Sequence, residues 1–583
     1  MGSFFKSFFA ALLALVVFTV LLFFFLAAYV GAVASKKMPK VESKSVLVLD
    51  LGQHYAEQLK TNPLGVLSSA QEDVPGLYDV VRLLQKAKTD RDISGIYIIA
   101  NENDNGFAAS EEIRNALLDF KKSGKFILAH GDMISQKAYA VANVADKIYV
   151  SPQGRVGWFG YSVEYAFVKG TLEKLEIQPQ IFYAGKFKSA TEPLRAEKMT
   201  PENQLQTSVW LNDLYNDFLI HTAEVRKIDT ATLHQLANEG KIRSAKDAVD
   251  NKIVDAIKYD DELKDEIKSR LRLDKYEKIN FISINRYLAS TNPDKTSGEK
   301  IALIYAEGNI IDGKSEQGTI GSETYRNLIR KARLDKSIKA IVLRVNSGGG
   351  SSLASENIWR ELALARKEKP VVVSFGDVAA SGGYYISCGA DSIFALPTTI
   401  TGSIGVFGII PNMETFFKNK LGVTFDRVTT GPYADALTIT KPMNENEKKM
   451  IQGEIDMIYS QFKQRVAEGR KKDTVYIDSI AQGRVWTGYR AKDIGLIDRF
   501  GGLDDAVKCA ARMAKLTNYS VSEYPETMTL LDRIFGKKDP LNYRDKIKEE
   551  MGEQNYMLYT ELKQVKEMCG TVQARLPFQF FVR

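Results

Sequence analysis

Ala145-Asp146-Lys147-Ile148-Tyr149-Val150-Ser151-Pro152 returns, in altered form, as Ala390-Asp391-Ser392-Ile393-Phe394-Ala395-Leu396-Pro397. Each stretch sets an acid before a short apolar run and a proline after it. The two lie 245 residues apart, and the same register holds on both sides. Ile93 falls on Ile338, Asn101 on Asn346, and Ala109-Ser110-Glu111 on Ala354-Ser355-Glu356. Gly131-Asp132 falls on Gly376-Asp377, Tyr139 on Tyr384, Gly157 on Gly402 and Gly160 on Gly405. No gap is needed over Ile93–Gly160, and an offset of 246 later aligns Ala245-Lys246-Asp247 with Ala491-Lys492-Asp493. Unrelated segments would not keep one register through glycines, acids and a proline, so the chain is a tandem duplication.

Around this register the pattern is α/β. Ser45–Leu49, Gly95–Ala100, Phe126–Ala129 and Lys147–Val150 read as short strands, and Glu111–Lys122 as a helix between two of them. In the second half Ala340–Leu343 and Val371–Phe375 read as strands. Apolar strands alternating with helices predict βαβ units and a mainly parallel sheet. The repeats are expected over 46–290 and 300–515, joined by the polar stretch Ala289–Lys300. Residues 520–583 have no counterpart in the first half and are expected to form a peripheral tail. Within it Asn542–Met568 reads as a charged helix, and Leu576–Val582 is an apolar end suited to docking.

Composition narrows the function. The chain has 583 residues, 44% hydrophobic and 26% charged, with Lys+Arg 79 against Asp+Glu 72 for a net charge of +7. This is ordinary globular usage, and without a basic tract it gives no sign of nucleic-acid binding. Cys388, Cys509 and Cys569 are far apart and show neither a disulfide framework nor a CxxC metal pattern. His54, His130, His221 and His234 lack HExxH spacing, so a zinc hydrolase is disfavoured and neither metal nor cofactor is expected.

One segment departs from the average. Ser7–Ser35 carries no charge, and Phe8–Val33 is almost wholly apolar. That exceeds the roughly 20 residues a bilayer span needs. It is also longer than a signal peptide's apolar core of about 7–15 residues, despite a cleavage-like Ala32-Val33-Ala34. Residues 1–35 are therefore expected to be an uncleaved membrane anchor. Lys36, Lys37, Lys40 and Lys44 outnumber Lys6 and the α-amine, and a simple charge count would place the body on the cytoplasmic side.

The chemistry gathers in two glycine-rich segments and a lysine loop. Arg344–Ser351 follows a strand, and its glycines free backbone N–H groups to face a ligand. A phosphate loop is disfavoured, because the lysine of GxxxxGK[ST] is missing. Ala379-Ala380-Ser381-Gly382-Gly383-Tyr384 flanks a serine with small residues, which lets a carbonyl approach. Gly382 N–H offers one oxyanion donor and the Gly348–Gly350 loop a second. A serine nucleophile needs a base. The histidines all lie in the first half, away from these segments in the repeat register. A lysine serves when burial lowers its pKa, and Tyr183–Pro193 supplies two, Lys186 and Lys188. In the repeat register Ser381 faces Gln136, and with one gap Lys188 faces Ala434. Each half retains what the other lacks, as expected if the two share one site.

Together, Arg344–Ser351, Val378–Tyr384, Thr401-Gly402-Ser403-Ile404-Gly405 and Gly185–Pro193 resemble the signal peptide peptidase A (protease IV) family in its long, duplicated bacterial form. The resemblance spans nearly the whole chain. It implies a tandem-duplicated α/β fold of the Clp protease and crotonase type, a spiral of ββα units, with one N-terminal transmembrane helix. It implies Ser381 as nucleophile and Lys188, from the Lys-Ser-Ala-x-Glu-Pro pattern, as general base. It implies Gly349 and Gly382 as the oxyanion hole, and Ser403 as the residue that orients the lysine. The family often has Ser-Pro-Gly-Gly where this chain has Ser347-Gly348-Gly349-Gly350, which keeps the donors and gives up proline's rigidity. The resemblance further implies cleaved signal peptides and other extended apolar peptides as substrates. It implies a homotetramer in a bacterial inner membrane with the body periplasmic, since long translocated domains weaken charge rules. Two other classes fit less of the sequence. A crotonase-like acyl-CoA enzyme would share the oxyanion donors without needing Ser381 or Lys188. A catalytically silent membrane scaffold would need neither.

Overall fold

Strands buried on both faces read as continuous apolar runs, and those of this chain assemble accordingly. The computed structural model describes residues 2–34, 40–59, 73–291, 298–316, 318–526 and 568–576. Six strands of the first half, β1 (Ser45–Asp50), β2 (Ile93–Ile99), β3 (Phe126–Ile134), β4 (Lys147–Val156), β6 (Ala256–Ile257) and β7 (Phe281–Ser283), form a parallel sheet ordered β6-β4-β3-β2-β1-β7. The remaining strand of this half, β5 (Gln178–Ala184), leaves it for another sheet.

The second half repeats the order with β8 (Glu299–Glu307), β11 (Ile338–Ser347), β13 (Val371–Ala380), β14 (Ser392–Ala395), β18 (Arg499–Phe500) and β19 (Tyr519–Tyr524). Two short strands, β15 (Ile400–Gly402) and β17 (Val485–Thr487), extend it beside the end of β13. Helices obey the same register: Phe107–Lys121 answers Ser352–Arg366, and Leu77–Thr89 answers Ser322–Leu334. The second pair carries the duplication upstream of Ile93, where side-chain identity has faded and placement has not. The fold is thus the duplicated α/β class expected from the sequence.

Several strands outrun their apolar cores. β13 continues past Phe375 to Ala380 because Val378, Ala379 and Ala380 pair with Ile400, Thr401 and Gly402. That extension delivers the chain to Ser381. A third sheet joins the halves, ordered β10-β9-β12-β20-β16-β5, from β9 (Asn309–Ile311), β10 (Thr319–Gly321), β12 (Gly349–Ser351), β16 (Val406–Asn412), β20 (Gln573–Arg575) and β5. Seven residues of β5 run antiparallel to β16, from Val406↔Ala184 to Asn412↔Gln178. Phe182 and Ala184 pack in the second half's core with Ile304, Leu343 and Phe375.

The segment expected to be a peripheral tail contributes to two sheets. Residues 520–524 belong to β19, and Gln573, Ala574, Arg575 and Leu576 are buried. Nearly all of the expected helix Asn542–Met568 lies outside the described residues. At the other end Gly2–Ala34 is one helix, and Phe4–Phe25 within it has a mean hydropathy of 3.0 and no residue buried against the body.

Candidate functional site

Ser381 occupies the turn between β13 and the helix Gly382–Ser387, with φ 55° and ψ −114°. A non-glycine residue is rarely held at positive φ, and such strain marks a position that the surroundings over-determine. Here Ser381 N donates to Gly402 O (2.8 Å), and Tyr385 N donates to Ser381 O (2.8 Å). Ser403 also has positive φ, 49°, just after β15.

Lys188 arrives from the other half. The chain leaves β5 at Ala184 and turns through Gly185, so the lysine enters beside Ser381 and Ser403. Lys188 Nζ lies 2.9 Å from Ser381 Oγ, 3.0 Å from Ser403 Oγ and 3.1 Å from Ser403 O. All three residues are buried, whereas Lys186 is exposed. Burial alone drives the Lys188 pKa well below the ordinary lysine value, since no carboxylate offsets the loss of solvent. The contacts suit a neutral amine. Ser381 Oγ also lies 3.4 Å from Gly405 O; on a neutral amine two N–H bonds would serve Ser403 O and Ser403 Oγ, which would leave the lone pair to take up the Ser381 O–H. Such an arrangement can strip a proton from the serine as its oxygen attacks a carbonyl.

The glycines close the site. Gly382 N opens the helix directly after Ser381. Gly349 has φ 98°, and a Cβ there would lie 2.6 Å from Gly382 N. In this resting geometry Gly349 N donates to Ser347 Oγ (3.1 Å), which in turn donates to Gly308 O (2.6 Å). The structure therefore brings Ser381, Gly382, Lys188, Ser403 and Gly349 together from four separate stretches of sequence.

Two residues to which the sequence assigned no role, Glu192 and Gln206, hold the lysine loop. Glu192 is buried and accepts from Thr200 Oγ1 (2.6 Å) and Asn203 Nδ2 (2.9 Å). Gln206 Nε2 donates to Phe187 O (3.0 Å) and Ser189 Oγ (3.1 Å), and Gln206 Oε1 accepts from Val485 N (3.1 Å) across to the second half. Glu192-Pro193, two residues inside the lysine motif, was the signal available. At the repeat counterpart of Ser381, Gln136 Oε1 instead accepts from Phe159 N (2.9 Å) and Gly160 N (3.1 Å), so that position now braces a loop.

The sequence profile of peptidase family S49 matches the chain twice, over residues 119–274 and 363–517. Protease 4 of Salmonella typhi is 38% identical over 509 residues, covering 84% of this chain and 82% of that protein. Protease 4 of Haemophilus influenzae is 35% identical, covering 82% of this chain and 80% of its own length. A chloroplastic serine protease, SPPA, of Arabidopsis thaliana is 32% identical, covering 82% of this chain and 70% of its own.

Proposed function

The chain belongs to peptidase family S49 and is a serine peptidase, and we propose that it works through a Ser381–Lys188 dyad divided between its two repeats. Neutral Lys188 takes the Ser381 proton as Oγ attacks a peptide carbonyl. The tetrahedral oxyanion rests against Gly382 N–H and the Gly349 loop, which exchanges its contact to Ser347 Oγ for the substrate. Lys188 protonates the leaving amine, and water then hydrolyses the acyl-enzyme. Ser403 holds the amine so that its lone pair faces Ser381. The observation that carries this reading is the buried Lys188 Nζ, 2.9 Å from Ser381 Oγ and lacking a counter-charge.

The same reading assigns 1–35 as a membrane anchor, 46–290 as the repeat that supplies the lysine, 300–515 as the repeat that supplies the serine, and 520–583 as a C-terminal extension. It places the body on the periplasmic face of a bacterial inner membrane as a homotetramer, acting on cleaved signal peptides and other extended apolar peptides. Protease accessibility in spheroplasts tests the placement, and a protected body overturns it. The dyad is tested by fluorophosphonate labelling and peptide turnover of wild type, Ser381→Ala and Lys188→Met. Loss of labelling in the first and a fall in kcat of about 10²–10⁴-fold in the second are expected. Wild-type turnover in either variant overturns the dyad.

A further inference from the structure

The turn between the helix Thr474–Ile480 and β17 touches both Lys188 and Ser403. Gln482 and Gly483 hold positive φ there, 54° and 72°. For Gln482 that is a strained conformation, which persists only where the surroundings over-determine it. The surroundings are the two segments that meet at the site. Phe187 N, one residue before Lys188, donates to Gln482 O (2.8 Å). Gly483 N donates to Ile404 O (2.8 Å), and Ser403 N donates to Arg484 O (2.7 Å). Three successive residues of one turn thus bond the lysine loop on one side and the Ser403 segment on the other.

The contact at Gly483 is the closest. A Cβ there would lie 2.7 Å from Lys188 N, 2.8 Å from Lys188 Cα and 2.7 Å from Lys188 Cβ. Two of these are backbone atoms, which cannot swing aside as a flexible side chain can. The lysine loop approaches in the same way, since a Cβ on Gly185 would lie 2.6 Å from Gln482 O. The first repeat offers a comparison. Ser244 and Thr487 each cap the helix that follows, and the buried Ala248 and Ala491 accept from Ile253 N and Leu496 N in turn. These pairs set the structural register here at 243, three residues from the sequence match at Ala245-Lys246-Asp247, and bring Gly240 onto Gly483. Gly240 also has positive φ, 56°, yet a Cβ on it would meet nothing within 4 Å. The left-handed turn is common to both repeats, and the close approach belongs to the one that receives the lysine. Arg484, the one charged residue of the turn, is stacked 5.0 Å from the Phe187 ring and 4.4 Å from the Trp486 ring, while Gln482 N donates to Tyr459 Oη (3.1 Å).

We propose that the turn Gln482–Arg484 is the gauge that sets Lys188 against Ser403 and Ser381, and that Gly483 is a positioning residue that acts through Lys188. This rests on the Ser381–Lys188 reading and adds the element that holds the base in range. Gly483→Ala pushes Lys188 out of place, and misplacement on the scale of an ångström costs about 10²-fold in kcat. KM should change little, since the base and not the substrate is displaced. The displaced amine meets water, so the rise of kcat/KM with pH should move to higher pH. Gly483→Asn tolerates positive φ better than alanine does but still carries a Cβ, so it should lose activity as alanine does. Gly240→Ala imposes the strain without the contact; it should lower Tm and leave kcat and the pH profile unchanged. Arg484→Met keeps the path of the turn and loosens only its stacking, which guards against misfolding of the Gly483 variants. It should lower kcat several-fold and displace the pH profile in the same direction. Wild-type kcat in Gly483→Ala, recovery in Gly483→Asn, an equal kcat loss in Gly240→Ala, or an unchanged kcat and pH profile in Arg484→Met overturns the gauge and leaves the dyad standing. Turnover that survives Lys188→Met overturns the dyad instead.

Discussion

In the proposed dyad a lysine serves as base only because the fold denies it water. Burial lowers the Lys188 pKa, and the two hydroxyls and one carbonyl around it stabilise the neutral amine. The consequences for pH have a definite sign. The active form is unprotonated, so kcat/KM should rise with pH through this lowered pKa and level off well below the range of an exposed lysine, about 10.4. Folding responds in the same direction. Between the lowered folded value and the ordinary unfolded value, the unfolded chain holds a proton that the folded chain does not, so stability rises with pH across that window. Lys188→Met should flatten that slope, measured as Tm against pH in parallel with wild type; an unchanged slope would show that Lys188 is charged in the fold. Ser403→Ala removes one acceptor of the amine and is expected to lower kcat about tenfold, the equivalent of one hydrogen bond, with KM little altered. Ser403→Thr keeps the hydroxyl and should recover most of that loss, and equal losses in both variants would argue against orientation as the role of Ser403.

At the scale of elements, the base depends on a strand that changes sheet. β5 belongs by sequence to the first half but pairs with β16 and packs in the second core. The loop after it is then stapled to the helix Pro201–Arg226 by Glu192, whose carboxylate receives Thr200 and Asn203. Glu192→Ala leaves these donors buried without their acceptor, at a cost of about 1–3 kcal/mol. It should also lower kcat more than it raises KM, because it loosens Lys188 and leaves the strands β12 and β16 beside the site in place. A variant with lowered Tm and full kcat would limit Glu192 to stability. The duplication and the parallel strands were legible in the sequence, because each rests on a local pattern or on the register between halves; Ser381 was legible as a candidate, and Lys188 was separated from Lys186 only through the family resemblance. Gln206 was not, since a buried polar staple shares its composition with any helix start, and Glu192 was legible only as a member of the Lys-Ser-Ala-x-Glu-Pro pattern, without its role. The place of β20 was legible only as an apolar end at Leu576. Strand pairing between Gly350 and Ala574 spans more than two hundred residues and leaves no local periodicity to read.

The whole molecule must keep two halves in register, because the proposed nucleophile and base come from different ones. Polar contacts across the boundary range from exposed pairs such as Arg82–Glu523 to wholly buried ones. Asp377 Oδ1 accepts from Ala109 N (3.1 Å) at the start of the helix Phe107–Lys121, and Thr398 Oγ1 donates to Glu111 Oε2 (2.7 Å). The strongest is Arg344 on β11, whose side chain is shut from solvent. Its Nε donates to Glu57 Oε2 (2.8 Å) and its Nη2 to Glu112 Oε1 (2.6 Å), both from the first half, while Nη1 donates to Ser374 Oγ (2.8 Å) and Phe375 O (2.9 Å). Burial raises the Glu112 pKa, and Arg344 opposes that rise. Arg344→Met therefore leaves two buried carboxylates facing each other without a cation, which costs about 3–5 kcal/mol. With the cation gone, the Glu112 carboxyl should titrate still higher. A carboxyl raised above its unfolded value stabilises the fold at low pH and loses that contribution as pH rises through the folded pKa. The deficit of Arg344→Met in its first thermal transition should thus be larger at pH 8 than at pH 5. Adding Glu57→Gln and Glu112→Gln should recover much of it, since no charge then remains to be buried. Because this triad holds together the halves that carry Ser381 and Lys188, fluorophosphonate labelling should fall in the single variant and return in the triple one. A deficit that is independent of pH, or labelling that is untouched by Arg344→Met, would mean that the apolar contacts between the halves set the register without the triad.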